Sequence, residues 1–299
     1  MSGITSEHNK KYVVAMGFFD SVHYAHCEIL SKTVKISKEL GAIPTVCTFS
    51  NNPYEVFNKD KKPLFSFEYR KRIINSLGVD KFILYEFNKK FAETSAKDFF
   101  DSLVSQYNIV AFVAGYDYTF GKNKEGNFKT LEELSSKHGI KCYMVDEMRI
   151  DNQKIGTTEI ENYLNEGEVE KANKMLVREY SVTGIVSHGR NVGERLGFPT
   201  ANIEIPELFM PKSGVYATKT VIGNKTYQSI TNVGMQPTFN EKKQKIETYI
   251  FDFDKDCYES EIEVKFFKYL RKIKTFENAE ALKLQIEKDV KLTKEYFND

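Results

Sequence analysis

The chain has 299 residues, 41% of them hydrophobic, and a net charge of +1. That length suits about two domains with apolar cores, and the near-neutral charge argues against bulk attraction to nucleic acid or anionic membrane. Four scattered cysteines, Cys27, Cys47, Cys142 and Cys257, form no C-x-x-C pair, which argues against a disulfide framework or zinc ribbon and fits a reducing cytoplasm. Met1–Lys11 is polar, and no apolar run approaches the ~18 residues of a membrane span. A soluble cytoplasmic protein is expected; an oligomer is compatible with the sequence but not predicted by it.

In chain order, Tyr12–Met16 reads as a buried strand ending at Gly17. A helical pattern runs over Tyr24–Leu40 and closes at Gly41. Ile43–Phe49 reads as a strand, Phe65–Leu77 as a helix, and Val79–Tyr85 as a third strand. Ser95 to Asp98 resembles a capping box for a helix to about Tyr107. Ile109–Ala114 is a fourth strand. Thr130 to Glu133 caps a helix that stops at Gly139, and Ile140–Val145 is a fifth strand. Strands alternating with helices imply a mostly parallel sheet covered on both faces, with ligands beyond the carboxyl ends of its strands. Glu159–Leu164 and Glu168–Leu176 read as two short polar helices connecting domains. From Tyr180 the pattern changes to Tyr180–His188, Val215–Ile222, Thr226–Val233, Lys245–Phe253 and Ile262–Tyr269, with a hairpin signal at Gly223-Asn224-Lys225. Five or so strands with short turns suggest a small antiparallel barrel. Thr275–Phe297 closes the chain as an amphipathic helix, with Phe276, Ala279, Leu282, Ile286, Val290 and Phe297 near one stripe. The expected division is 1–158, a connector 159–179, and 180–299.

Three stretches carry candidate chemistry. His23 and His26 are three apart at a helix start, hence on one face, where free N–H groups favour phosphate and two imidazoles could steady charge on phosphorus. A metal pair or plain helix-surface histidines are the alternatives; a zinc site needs about three protein ligands. In His188–Asn202, Gly189, Gly193 and Gly197 sit four residues apart with Arg190 and Arg195 between them, an arrangement suited to phosphate. Thr200 and Asn202 face the same way on an extended chain and offer neutral oxygens that suit Mg²⁺ already holding phosphate. A basic surface loop running into an edge strand remains the alternative. In Lys245–Phe253, Glu247 shares a face with Tyr249, Phe251 and Phe253. A carboxylate there is a general base, or an edge-strand Glu in a salt bridge.

The loop Gly-Phe-Phe-Asp-Ser-Val-His-Tyr-Ala-His (17–26) resembles the H-x-G-H signature of nucleotidylyltransferases in its flavin-adenylating form. Gly115-Tyr-Asp117-Tyr-Thr-Phe120-Gly121-Lys122 resembles that family's G-x-D-F-x-F-G-K. Gly184 to Asn202, Gly214-Val215-Tyr216, Asn232 to Phe239, Glu247 to Phe253 and Leu270-Arg271 to Phe276 resemble the ordered motifs of riboflavin kinase. The chain is thus similar to bacterial bifunctional riboflavin kinases/FAD synthetases over nearly its whole length. Departures are Ser21 and Ala25 for loop glycines, Asn51-Asn52 for a Pro-His pair, Glu161 for an arginine that meets ATP phosphates, and Ser260 for a glycine. Thr158-x-x-Glu161 also reads as a capping box.

The resemblance implies a Rossmann-like nucleotidylyltransferase sheet followed by a riboflavin-kinase barrel. It implies ATP and Mg²⁺ as cofactors and riboflavin, FMN and FAD as substrates and products. Glu247 would be the kinase base. Gly189, Gly193 and Gly197 would cover the phosphates, Thr200 and Asn202 would hold Mg²⁺·ATP, and Asn232 and Arg271 would lie near the flavin. Gly17, Phe19, His23, His26, Thr157 and Thr158 would bind ATP for adenylylation, and Asp117 the flavin. A riboflavin kinase with a scaffold-only first domain, or a non-catalytic flavin sensor, are the competing readings.

Overall fold

Alternation on a few short strands builds the first core. The computed structural model describes residues 9–57, 61–188, 193, 196–237 and 242–298. The chain divides into two compact units, Met1–Thr157 and Thr158–Asp299. In the first, β1 (Lys11–Met16), α1 (Tyr24–Leu40), β2 (Ile43–Phe49), α2 (Phe67–Ser76) and β3 (Lys81–Tyr85) are followed by α3 (Lys89–Ala92), α4 (Ala96–Gln106) and β4 (Asn108–Gly115). A hairpin of β5 (Thr119–Phe120) and β6 (Gly126–Asn127) leads to α5 (Phe128–Ser136) and β7 (Lys141–Val145), and a second hairpin pairs β8 (Arg149–Ile150) with β9 (Gln153–Lys154). The sheet is parallel throughout, in the order β3-β2-β1-β4-β7. Because strand side chains alternate between faces, β1 feeds two cores. Val13 and Ala15 pack with Ile29, Leu30 and Ile36 of α1. Tyr12, Val14 and Met16 pack with Phe99, Phe100 and Leu103 of α4. That is why β1 reads as an unbroken apolar run.

The caps place the helices. Ser66 accepts from Tyr69 N at 3.2 Å, so α2 starts at Phe67, two residues later than the sequence pattern suggests. Ser95 accepts from Asp98 N at 3.0 Å, as expected of a capping box. The cap of α5 is a correction. It is Asn127, whose side chain accepts from Thr130 N at 3.1 Å. An Asn oxygen in an extended residue does the work assigned to Thr130, which lies inside the helix.

The second unit begins with α6 (Thr157–Glu166, assigned to it from Thr158) and α7 (Val169–Leu176). Thr158 is the second residue of α6, so it is not the N-cap of a Thr158–Glu161 capping box. β10 (Ser181–Ser187), β11 (Thr200–Glu204), β12 (Gly214–Ile222), β13 (Lys225–Pro237), β14 (Lys242–Ile250) and β15 (Glu261–Arg271) close into a barrel in the order β10-β11-β14-β13-β12-β15. Closure leaves no edge, so β11 is not the edge strand that the loop alternative invoked. β12 and β13 join through a two-residue turn with Gly223 at φ 57°. β14 stops at Ile250 and the chain turns at Asp252, φ 54°, so Phe251 and Phe253 do not extend the face of Glu247 and Tyr249.

The barrel interior is unusual in being partly hydroxylic. Thr218, Thr220, Ser229, Thr231 and Thr248 are fully buried. Thr218 Oγ1 contacts Ser229 Oγ and Thr231 Oγ1 at 2.8 Å each, Thr220 reaches Ser229 at 2.9 Å, and Thr231 reaches Thr248 at 2.9 Å. Each hydroxyl can donate and accept, so a cluster of them satisfies itself without water. α8 (Ala279–Asn298) ends the chain. Its most buried residues are Asp289 and Thr293 rather than the apolar stripe, because Asp289 faces a cation.

Candidate active sites in the two units

In the first unit the signature loop leaves the carboxyl end of β1. Gly17 N donates to Cys47 O at 3.3 Å, tying the loop's start to β2. Phe19 and Val22 adopt φ of 53° and 43°, a conformation rare for bulky residues that persists only when neighbours hold it. Here the Phe18 carbonyl accepts from buried Arg70 Nη1 at 2.7 Å and from Thr48 Oγ1 at 3.0 Å, and Asp20 Oδ1 accepts from Leu64 N. His23 is the N-cap of α1. Its Nδ1 accepts from His26 N at 3.2 Å, which places the proton of the neutral ring on Nε2. The His23 and His26 rings stack 3.7 Å apart, and Phe19 meets His26 edge-on at 5.2 Å. The loop and β1 thus bring Gly17, Phe19, His23 and His26 together. Among the described residues no three His, Cys, Asp or Glu side chains gather as a metal site.

Thr157 joins this group through a 3.0 Å hydrogen bond to Ser21 Oγ. Ser21 is fully buried, so a hydroxyl at a usual glycine position serves as a tether that sequence reading did not foresee. Asn51 makes a two-way bond to the Phe87 backbone at 2.8 Å each way, and Asn52 bonds Lys61 O and Tyr54 N at 3.1 Å each. The pair standing for Pro-His therefore organises its own loop. Asp117, beyond β4, is exposed and paired with Lys154 at 3.3 Å. Glu147 accepts from Tyr116 at 2.9 Å and from Arg149 Nε at 2.7 Å, and both bonds hold its carboxyl below the usual range. In the second unit, Thr158 lies in the first turn of α6 and Glu161 is buried.

The barrel site is set by register. Across the sheet Ser187 pairs with Asn202, Asn202 with Glu247, Glu247 with Asn232, Asn232 with Val215, and Val215 with Arg271. Paired residues share a face, so Asn202, Glu247 and Asn232 project side by side, with Thr200 two residues along on the same face. This is the face opposite the hydroxyl-lined interior. Asn202 is 6% exposed, and both Asn202 Oδ1 and Asn232 Oδ1 are buried with no hydrogen-bond partner among the described residues. Buried polar atoms of that kind call for a partner, whether an ordered water, an ion or a ligand. Lys245 Nζ lies 2.7 Å from Glu247 Oε1.

Gly193 and Gly197 shape the approach to β11. Gly193 O accepts from Leu196 N and Phe198 N, and a Cβ on Gly193 would sit 2.3 Å from Phe198 O. Gly197 has φ +85°. Gly189, Arg190, Arg195, Thr238 and Phe239 lie outside the described residues. Arg271 is held by Asp289: Nε contacts both carboxylate oxygens at 3.0 Å, Nη2 reaches Oδ2 at 2.7 Å, and Gln285 adds a bond to Oδ1. Arg271 Nη1 donates to Lys272 O.

A histidine-capped loop beyond a parallel sheet, and one carboxylate set between two amides on a closed barrel, suit a transferase that acts on small molecules. A family model described as FAD synthetase matches residues 5–159, and one described as riboflavin kinase matches 176–297. The bifunctional riboflavin kinase/FMN adenylyltransferase of Bacillus subtilis is 34% identical, covering 99% of this chain and 96% of its own. The Escherichia coli K12 protein of the same name is 29% identical, covering 95% and 92%. A crystal structure named as a macrolide-efflux protein from Streptococcus pneumoniae is 28% identical with a TM-score of 0.88, over 95% of this chain and 94% of that one. The chain belongs to the bifunctional riboflavin kinase/FMN adenylyltransferase family. Among its described residues no helix is long and apolar enough to cross a membrane.

Proposed function

We propose that the chain, a cytoplasmic enzyme, phosphorylates riboflavin to FMN on the barrel and adenylylates FMN to FAD on the parallel sheet. The observation that carries the first step is the Asn202–Glu247–Asn232 row. Glu247 takes the proton of the ribityl 5′-hydroxyl as that oxygen bonds to the γ-phosphorus of ATP. The bond from the γ-phosphorus to the β–γ bridging oxygen breaks, and ADP leaves with its electron pair. Positioning and charge neutralisation carry most of such a transfer.

Thr200 and Asn202 hold the metal–nucleotide, and Gly193 and Gly197, with Gly189, let backbone approach the phosphates. Two neutral oxygens, one of them buried and unbonded, match the hard, oxygen-seeking chemistry of Mg²⁺, which keeps phosphate oxygens and water as its other ligands. When bound, Mg²⁺ offsets phosphate charge. Asn232 orients the flavin. Arg271, neutralised by Asp289, shapes that end of the site through its side-chain stem.

In the first unit the FMN phosphate attacks the α-phosphorus of ATP, and pyrophosphate leaves with the electrons of the broken bond. No side-chain nucleophile is required. Gly17 and Phe19 form the floor of the nucleotide site, His23 and His26 donate to phosphate oxygens, and Thr157 frames the nucleotide through its bond to Ser21. Asp117 faces the flavin. Arg70, through its bond to the Phe18 carbonyl, keeps the strained loop in place. The pure protein incubated with ATP, Mg²⁺ and either riboflavin or FMN tests both assignments by chromatography. FMN from riboflavin and FAD from FMN are expected; no FAD from FMN leaves a kinase on a scaffold, and no FMN from riboflavin removes the kinase.

A further inference from the structure

In the proposed kinase site, Mg²⁺ held at Thr200 and Asn202 offsets part of the phosphate charge, but Glu247 still faces a polyanion. A base must lie within about 3 Å of the hydroxyl it deprotonates, and that hydroxyl must lie about 3–3.5 Å from the atom it attacks. The γ-phosphate therefore comes within about 6 Å of the Glu247 carboxylate, and both are anions. Such like charges repel, and a side-chain cation near both would lessen the repulsion that the metal leaves. Among the described residues one cation is paired with Glu247: Lys245, two residues earlier on β14 and so on the same face, its Nζ at 2.7 Å from Oε1. Its side chain is 24% exposed and that of Glu247 37%, a partly screened pair that can open without stranding a buried charge. Opposite Lys245 in register stands Gly234, so no β13 side chain occupies the position beside it.

We propose that Lys245 is a phosphate ligand of the kinase reaction. It pairs with Glu247 before ATP binds and shifts to the γ-phosphate when ATP arrives. The shift frees the carboxylate lone pair for the riboflavin proton and screens the two anions from each other. A lysine suits this because its ammonium is a mobile point charge on a flexible stem. The inference rests on Glu247 being the base, and the test separates the two ideas.

Steady-state FMN formation by the full-length chain is measured for Lys245→Met, Lys245→Arg and Glu247→Gln, with thermal unfolding of each. If Lys245→Met does not fold, Lys245→Thr takes its place. The neutral variant is expected to raise the KM for MgATP by about tenfold, typical of one lost charge-assisted contact, with the KM for riboflavin within about twofold. Lys245→Arg, which keeps the cation, is expected to restore most of the ATP affinity. Unchanged ATP and riboflavin constants in the neutral variant, with Glu247→Gln inactive, overturn the role of Lys245 and leave the base in place. An active Glu247→Gln removes the base assignment itself.

Discussion

Asn202 on β11 stands directly opposite Glu247 on β14, and its buried Oδ1 has no hydrogen-bond partner among the described residues. A group kept unsatisfied costs stability, so its worth lies in what it binds. Asn202→Ala is expected to cut kinase kcat/KM for MgATP by at least about a hundredfold, the loss of about 2.7 kcal/mol of transition-state stabilisation. It is expected to change unfolding free energy by less than about 1 kcal/mol, since no bond of Oδ1 is lost. Denaturant unfolding beside steady-state kinetics checks both halves. A large stability loss with intact kinetics would make Asn202 structural.

The Arg271–Asp289 pair is a different case. Asp289 is nearly fully buried and Arg271 mostly so. Asp289→Asn leaves a mostly buried guanidinium without its counter-charge, and removing one partner of a buried pair typically costs about 3–5 kcal/mol. The expected result is a lower unfolding midpoint for the barrel with α8 loosened, read as faster amide exchange along Ala279–Asn298. No change in midpoint would show the pair to be dispensable.

The hydroxyl cluster gives a third expectation. Thr218→Val keeps the shape of the side chain but takes one partner from each of the Ser229 and Thr231 hydroxyls, which keep Thr220 and Thr248. A cost of about 1 kcal/mol follows from the lost net hydrogen bonding, measured by urea unfolding. Replacing Thr218, Ser229 and Thr231 together by apolar residues of like size is expected to cost less than the sum of the singles.

Alkaline pH probes the first unit. Burial pushes the Cys47 thiol from 9.0 up to about 12. The folded state therefore keeps its proton where the unfolded chain has lost it. Stability from this group is fully present below pH 9 and falls as pH rises towards 12, by about 1.4 kcal/mol per unit. Burial raises Tyr85 to about 12 as well, which steepens the upper part of the decline. Cys47→Ala is expected to lessen the slope near pH 9, where the Tyr85 phenol is mostly protonated in both states; burial also raises the Cys142 and Cys257 thiols, so part of the slope remains. A slope unchanged by that substitution contradicts the assignment.

Much of this architecture was legible in local patterns. Tyr24–Leu40 and Ile43–Phe49 match α1 and β2 because an amphipathic period, a left-handed Gly41 cap and an apolar strand all act within a few residues. His23 and His26 were legible for the same reason. The rest depends on partners distant in sequence. Alternation alone would turn Thr218, Thr220, Ser229 and Thr231 towards solvent; only their neighbours across the strands satisfy them inside. The Asn232–Glu247 pairing, the Arg271–Asp289 bond and the Ser21–Thr157 tether join residues 15, 18 and 136 positions apart. Asn127 replaced Thr130 as a cap because either residue type fits and only the backbone decides.

If each unit holds its own activity, a crossed assay separates the two. Glu247→Gln removes the kinase base and leaves the histidine loop untouched. His23→Asn keeps an oxygen able to cap α1 but removes the imidazole. Both variants are assayed for FMN from riboflavin and for FAD from FMN. Glu247→Gln is expected to lower FMN formation by on the order of 10²–10⁴, typical of losing a general base, with FAD formation at the wild-type rate. His23→Asn is expected to lower FAD formation with FMN formation unchanged. Loss of both activities in either variant, or of neither in Glu247→Gln, would contradict two independent sites.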